Sequence, residues 1–138
     1  MAKLRILIAE DHAIFRASLE RRLSVKFEVI GAVSDGKSLV ELARRLEPDI
    51  IVSDITMPRL SGLEAARQLV DELPDVKIVF VTVHTSRAYV REAFRAGARG
   101  YVQKSSSIEE LEEALSEVHR GNTYLSKKLC DEGRATQE

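Results

Sequence analysis

Five short apolar runs punctuate the chain: Leu4 to Ala9, Phe27 to Val33, Ile50 to Ser53, Val76 to Val81 and Gly100 to Gln103. Several are rich in valine and isoleucine, the composition of strands covered on both faces. Between them, apolar residues recur at helical spacing. Phe15, Leu19 and Leu23 mark one face, Leu39, Val40, Ala43 and Leu46 a second, and Ala66, Leu69, Val70 and Leu73 a third. Val90, Ala93 and Phe94 form a shorter fourth stripe, and Ile108, Leu111, Ala114, Leu115 and Val118 a long fifth. Strand and helix patterns in alternation predict βα units around a parallel sheet, an α/β fold of (βα)5 type.

Turn and cap residues support this order. Asp35-Gly36 closes the second strand, Pro48 follows the second helix, Pro74 ends the third, and Ala96-Gly97 ends the fourth. Ser107 with Glu110 reads as a capping box opening the fifth helix. After Gly121 the period fades. Residues 1–121 are expected to form a single domain, and residues 122–138 a tail or the start of a linker in which Tyr124 and Leu125 are still able to pack.

Composition narrows the class. A chain of 138 residues with 44% hydrophobic and 31% charged residues suits one ordinary globular domain, not a disordered or fibrous one. A formal charge of -1, from 21 basic and 22 acidic residues, gives no general attraction to nucleic acid or to an anionic membrane. One cysteine, Cys130, excludes an internal disulfide. With no leader-like segment and no long apolar run, a cytoplasmic location without membrane contact is expected.

Candidate chemistry collects at the strand ends. In a doubly wound parallel sheet, ligands bind beyond the carboxyl ends of the strands, where the winding direction switches. The first strand ends in Glu10-Asp11, the third in Asp54, the fourth in Thr82 and the fifth in Gln103-Lys104. With strand order 2-1-3-4-5, Glu10, Asp11 and Asp54 share one pocket. Three crowded carboxylates repel, and such a cluster persists most easily around a hard divalent cation. Mg2+ fits best, because it takes oxygen ligands from one or two carboxylates and completes its shell with water and phosphate. Thr82 offers a hydroxyl and Lys104 a positive charge to an oxyanion whose charge must be neutralised during transfer. Asp54 is then the candidate nucleophile. Pro58 disfavours helix at Met57, leaving an open turn beside Asp54 from which a backbone carbonyl can reach the metal. Gly62 permits a tight or positive-φ start to the third helix.

Taken in order, Glu10-Asp11, Asp54-x-x-Met57-Pro58-x-x-x-Gly62, Thr82 and Gly100-Tyr101-x-x-Lys104 resemble the response-regulator receiver domain of two-component signalling, over roughly residues 4 to 120. The resemblance implies a flavodoxin-like fold. It implies that Asp54 takes a phosphoryl group from a sensor histidine kinase, with Mg2+ held by Glu10, Asp11, Asp54 and the Thr56 backbone carbonyl. It also implies that Lys104 pairs with the phosphate, while Thr82 and Tyr101 act as the switch: Thr82 moves to the phosphoryl group and Tyr101 follows inward. The stretch from Gly97 to Lys104 and the segment His119 to Ser126 are similar to LuxR/NarL-type transcription regulators. Those carry a C-terminal helix-turn-helix, so DNA is expected to be bound by a domain absent from this chain and not by the chain itself. A phosphorylation-linked homodimer is a further implied partner.

Two positions depart from the family pattern, His84 and Ser105. His84 is read as a solvated loop residue in preference to one that controls attacking water. Arg87, Arg91, Arg95 and Arg99 recur every four positions; a solvated face is the default and a docking stripe the alternative. Rival functions are a stand-alone receiver and a haloacid-dehalogenase-like phosphohydrolase. The latter needs Asp-x-Asp after the first strand, where this chain has Glu10-Asp11-His12. Nucleotide-binding glycine motifs are lacking.

Overall fold

In the computed structural model of the chain, which describes residues 3–129, the apolar runs become strands β1 (Arg5–Ala9), β2 (Glu28–Val33), β3 (Ile50–Ser53), β4 (Lys77–Thr82) and β5 (Gly100–Gln103). Helices α1 (Ala13–Leu23), α2 (Gly36–Leu46), α3 (Gly62–Glu72), α4 (Arg87–Arg95) and α5 (Ile108–His119) fill the intervals. All pairings are parallel and the order is β2-β1-β3-β4-β5-β6, the expected order extended by one strand, β6 (Tyr124–Leu125).

Side chains alternate across a strand, and here both faces are apolar, so each strand serves two cores. Ile6, Ile8, Ile50, Val52, Val79, Val81 and Val102 pack against Leu19 and Leu23 of α1 and Leu111, Leu115 and Val118 of α5. Leu7, Ala9, Ile51, Phe80 and Tyr101 face the other way, toward Leu39 of α2, Leu69 of α3 and Ala93 of α4. Helices α1 and α5 thus cover one face and α2, α3 and α4 the other. Burying each large apolar side chain stabilises the fold by roughly 1.5–3 kcal/mol, so the strands contribute on both faces what an amphipathic helix contributes on one.

The helix starts follow their caps. Asp35, Ser61, Ser86 and Ser107 each accept a bond from the backbone N–H three residues on. The capping box at α5 is only half formed. Ser107 Oγ accepts from Glu110 N at 3.1 Å, but the Glu110 carboxylate does not turn back. It accepts instead from Tyr124 Oη (2.9 Å), Ser126 Oγ (3.1 Å) and the Lys127 N–H (3.2 Å).

That redirection explains β6. Tyr124 N donates to the Arg99 carbonyl and Ser126 N to the Tyr101 carbonyl, both at 2.9 Å, so two residues of the stretch expected to be tail extend the sheet past Gly121. Ser126 is fully buried, and its Oγ accepts from Gln103 N at 3.1 Å. Leu129 joins the core on the Tyr101 side. Cys130 lies outside the described residues. Arg91, Arg95 and Arg99 are exposed, and Arg95 pairs with Glu92 at 3.4 Å. Among the described residues, no helix is long and apolar enough to cross a membrane.

Candidate functional site

Parallel register delivers the polar strand ends to one edge of the sheet. Ala9 pairs with Ser53 and Thr82 with Gln103, so the residues that follow, Glu10, Asp54 and Lys104, leave adjacent strands together. Asp54 N donates to the Ala9 carbonyl at 3.0 Å, Glu10 N to the Val33 carbonyl at 2.9 Å, and Lys104 N to the Thr82 carbonyl at 2.8 Å. Backbone bonds therefore fix where each side chain starts.

The side chains meet. Oxygens of Glu10, Asp11 and Asp54 and a ring nitrogen of His12 all lie within 4.8 Å of one another. Lys104 Nζ donates to Glu10 Oε1 at 2.8 Å and to Asp54 Oδ2 at 3.2 Å. Asp54, only 5% exposed, has its other oxygen bound by the Ile55 N–H at 2.7 Å. Burial alone would lower the Lys104 ammonium, but its bonds to Glu10 and the charge of Asp54 outweigh this and hold it above the ordinary lysine value. Lys104 stays a cation wherever the protein is folded at neutral pH.

One oxygen is left over. Asp11 Oδ1 is buried and makes no hydrogen bond; His12 Nδ1 lies 3.4 Å from it without bonding geometry. Buried polar atoms are nearly always satisfied, so an orphan aimed among carboxylates fits a cation ligand. The donor set, dominated by carboxylate oxygens, suits Mg2+ better than a thiophilic metal.

An open turn follows β3 beside Asp54 as expected, and α3 starts only at Gly62. Gly62 is required by close approach and not by a positive φ: a Cβ there would collide with the Asp54 carbonyl, while Gly62 N donates to the Ile55 carbonyl at 2.6 Å. The positive φ in this loop belongs to Arg59 (68°), whose guanidinium reaches the α2 cap Asp35 at 3.4 Å.

Thr82 is fully buried, and its Oγ accepts from His84 N at 3.3 Å. Tyr101 is also fully buried and already inward, its hydroxyl donating to the His84 carbonyl at 2.8 Å. The ring therefore occupies an inward position in this structure. Burial, reinforced by the Asp54 charge and by Tyr89, pushes the Tyr101 phenol well above its usual range, so it remains a donor.

Three neighbours were not legible as site residues. His84, read as solvated, has its Nε2 2.9 Å from Thr56 Oγ1 and its ring stacked on Tyr89, centroids 4.0 Å apart. Only its place two residues after Thr82 signalled it. His12 has its Nδ1 2.8 Å from Glu10 Oε2, and its position directly after the acidic pair was the available clue. Phe15, read as core alone, places its ring under Lys104 Nζ, 4.8 Å from the centroid.

A family model described as "Response regulator receiver domain" matches residues 6–116. Over 129 residues the chain is 37% identical to "Transcriptional regulatory protein DegU" of Brevibacillus brevis, covering 92% of this chain and 55% of that one. It is 34% identical to "Response regulator GacA" of Pseudomonas aeruginosa over 94% of this chain and 61% of that one. The chain thus spans somewhat over half the length of these curated relatives. Among solved structures it is similar to a LuxR-family two-component response regulator from Aurantimonas sp. SI85-9A1 (TM-score 0.92, 31% identity, 99% of this chain and all of that one). The signal receiver domain of the NarL response regulator from Mycobacterium tuberculosis matches with a TM-score of 0.84 at 29% identity, over 88% of this chain and all of that one. The phosphohydrolase alternative gains nothing from these matches, and Glu10 stands where its nucleophile is required. The pocket at the β1/β3 edge, the sheet order and the match over most of the chain lead to one assignment: the chain belongs to the response regulator receiver domain family, in its LuxR/NarL-type branch.

Proposed function

We propose that this receiver domain takes a phosphoryl group onto a carboxylate oxygen of Asp54 from the phosphohistidine of a sensor histidine kinase. The phosphorus–nitrogen bond breaks as the phosphorus–oxygen bond forms. The observation that carries this reading is the convergence of Glu10, Asp11 and Asp54 within 4.8 Å, with Lys104 between two of them.

Glu10, Asp11, Asp54 and the Thr56 backbone carbonyl would hold Mg2+, which when bound supplies charge neutralisation for the transferring group. The chain's own residues do the rest. Lys104 offers a cation to the phosphate oxygens, and the Thr82 hydroxyl can exchange its bond from His84 N for one to the phosphoryl group. Ile55 N–H orients the carboxylate by holding one oxygen. Tyr101, buried against β4, reports the change to the α4 side. The domain acts as a phosphoacceptor whose only catalysis is its own phosphorylation and slow dephosphorylation, not as an enzyme of small substrates.

The relatives' names describe transcription regulators, and the chain spans only part of their length. We infer that a DNA-binding helix-turn-helix domain completes the native regulator in the cytoplasm, and that phosphorylation favours a homodimer. The test is direct. Acetyl phosphate or beryllofluoride with Mg2+ is expected to shift the intact mass of the wild type by one adduct and to leave Asp54→Ala unlabelled. An adduct that persists in Asp54→Ala removes the assignment.

A further inference from the structure

The Lys104 side chain is 12% exposed and carries its charge on a flexible stem of four carbons. Its ammonium has three polar neighbours: Glu10 Oε1 at 2.8 Å, Asp54 Oδ2 at 3.2 Å and His12 Nδ1 at 3.2 Å. Two of the three are disturbed by the reaction itself. On the phosphoacceptor reading Glu10 would be drawn to Mg2+ and Asp54 would become the acyl phosphate, so the contacts that hold the ammonium in the resting pocket are those that turnover would dissolve. His12, mostly exposed and shared with Glu10, is a weak anchor.

One contact does not change. The Phe15 ring lies beneath Lys104 Nζ with its centroid 4.8 Å away, inside the range in which a ring face attracts a cation. Phe15 stands on the first turn of α1 and packs against the core shared with Leu19 and Leu23, so its position is set by the fold. A phenyl ring binds neither metal nor phosphate. The attraction is also strongest where water is scarce, as at this largely covered ammonium.

We propose that Phe15 is a positioning residue for Lys104, its ring face holding the ammonium toward the phosphoryl site while the neighbouring carboxylates change partners. The inference rests on the phosphoacceptor reading above and adds a residue to it. A packing role alone would be met by any apolar side chain that supports the lysine stem.

The two roles separate on ring electronics. In the 138-residue chain, Phe15 is replaced by mono-, di- and trifluorophenylalanine, which drain the ring face at nearly constant shape. The rate of Asp54 labelling by acetyl phosphate at saturating Mg2+ is followed by intact mass, with melting temperature measured alongside. The rate is expected to fall stepwise with fluorine number, by about three- to tenfold at trifluorophenylalanine, the range of a partly desolvated cation–π contact. Phe15→Trp, with the stronger cation-binding ring, should exceed Phe15→Leu. Upfield ring-current shifts of the Lys104 ε-methylene protons should vanish in Phe15→Leu. A flat fluorine series, or rates that track melting temperature instead of fluorine number, overturns the proposal and leaves the phosphoacceptor reading intact. A wild type that takes no label at Asp54 overturns both.

Discussion

Gly62 sets how closely the loop after β3 can approach the Asp54 backbone. Its Cα lies so close to the Asp54 carbonyl that an added Cβ would overlap a backbone atom, which no rotamer change relieves. Gly62→Ala should therefore cost about 2–4 kcal/mol, within the range of mutations that force backbone to move. Ser61→Ala, one residue earlier, removes only a cap bond to Glu64 N and should cost about 1 kcal/mol. Urea unfolding of both variants decides the matter, and equal losses would mean that the loop yields without strain. The sequence raised two reasons for this glycine, tightness or positive φ, and only coordinates could choose, because sign of φ and distance across a loop are both non-local. The same limit hid His84, whose partner Thr56 is 28 residues away. Asp54 was a visible candidate: a carboxylate at the end of a buried apolar strand can be read in one dimension.

Among the elements, β6 is held by Glu110 as well as by its own pairing. A strand of two residues has no period to read, which is why Tyr124 and Leu125 were legible only as side chains able to pack, whereas β1, β3 and β4 announced themselves by continuous apolar runs. The free edge of β5 supplies the backbone partners, and Glu110 of α5 gathers Tyr124, Ser126 and Lys127. Burial alone would raise the Glu110 carboxyl, but hydrogen bonds from Ser106, Lys127, Tyr124 and Ser126 outweigh it and hold it below its ordinary value of 4.5. A carboxyl with a depressed folded pKa stabilises above its unfolded pKa, and that contribution is lost as pH falls through the folded value. The docked segment should hence be protected at neutral pH and loosen only below about pH 4.5, the ordinary value of that carboxyl. Hydrogen exchange of the Ser126 and Lys127 amides, corrected for intrinsic rate, is the measurement. In Glu110→Ala the protection should be weak at every pH. Protection equal to the wild type in that variant would show that the strand pairing alone suffices. Gln103, one residue before Lys104, donates its N–H to Ser126 Oγ, so the strand that delivers the lysine and the docked segment share a hydrogen bond.

For the molecule as a whole, the charge of the pocket matters more than the overall charge of -1. Three carboxylates face one ammonium there, an excess of two negative charges before any phosphoryl group arrives. A single divalent cation closes that gap, and a ligand that binds only the folded state stabilises it by RT ln(1 + [L]/Kd), about 2.7 kcal/mol at a hundredfold excess over Kd. In a domain of this size such a gain raises the melting temperature on the order of 10 °C. General screening by salt gives much less, because Glu10 and Asp54 are buried and the charges lie close together. Mg2+ should consequently raise the melting temperature well beyond NaCl at equal ionic strength. Asp11→Asn, which replaces the orphaned carboxylate and relieves repulsion, should start at or above the wild type without metal and gain little from Mg2+. A Mg2+ response in Asp11→Asn equal to that of the wild type would move the cation away from this cluster, and a response matched by NaCl would reduce it to screening.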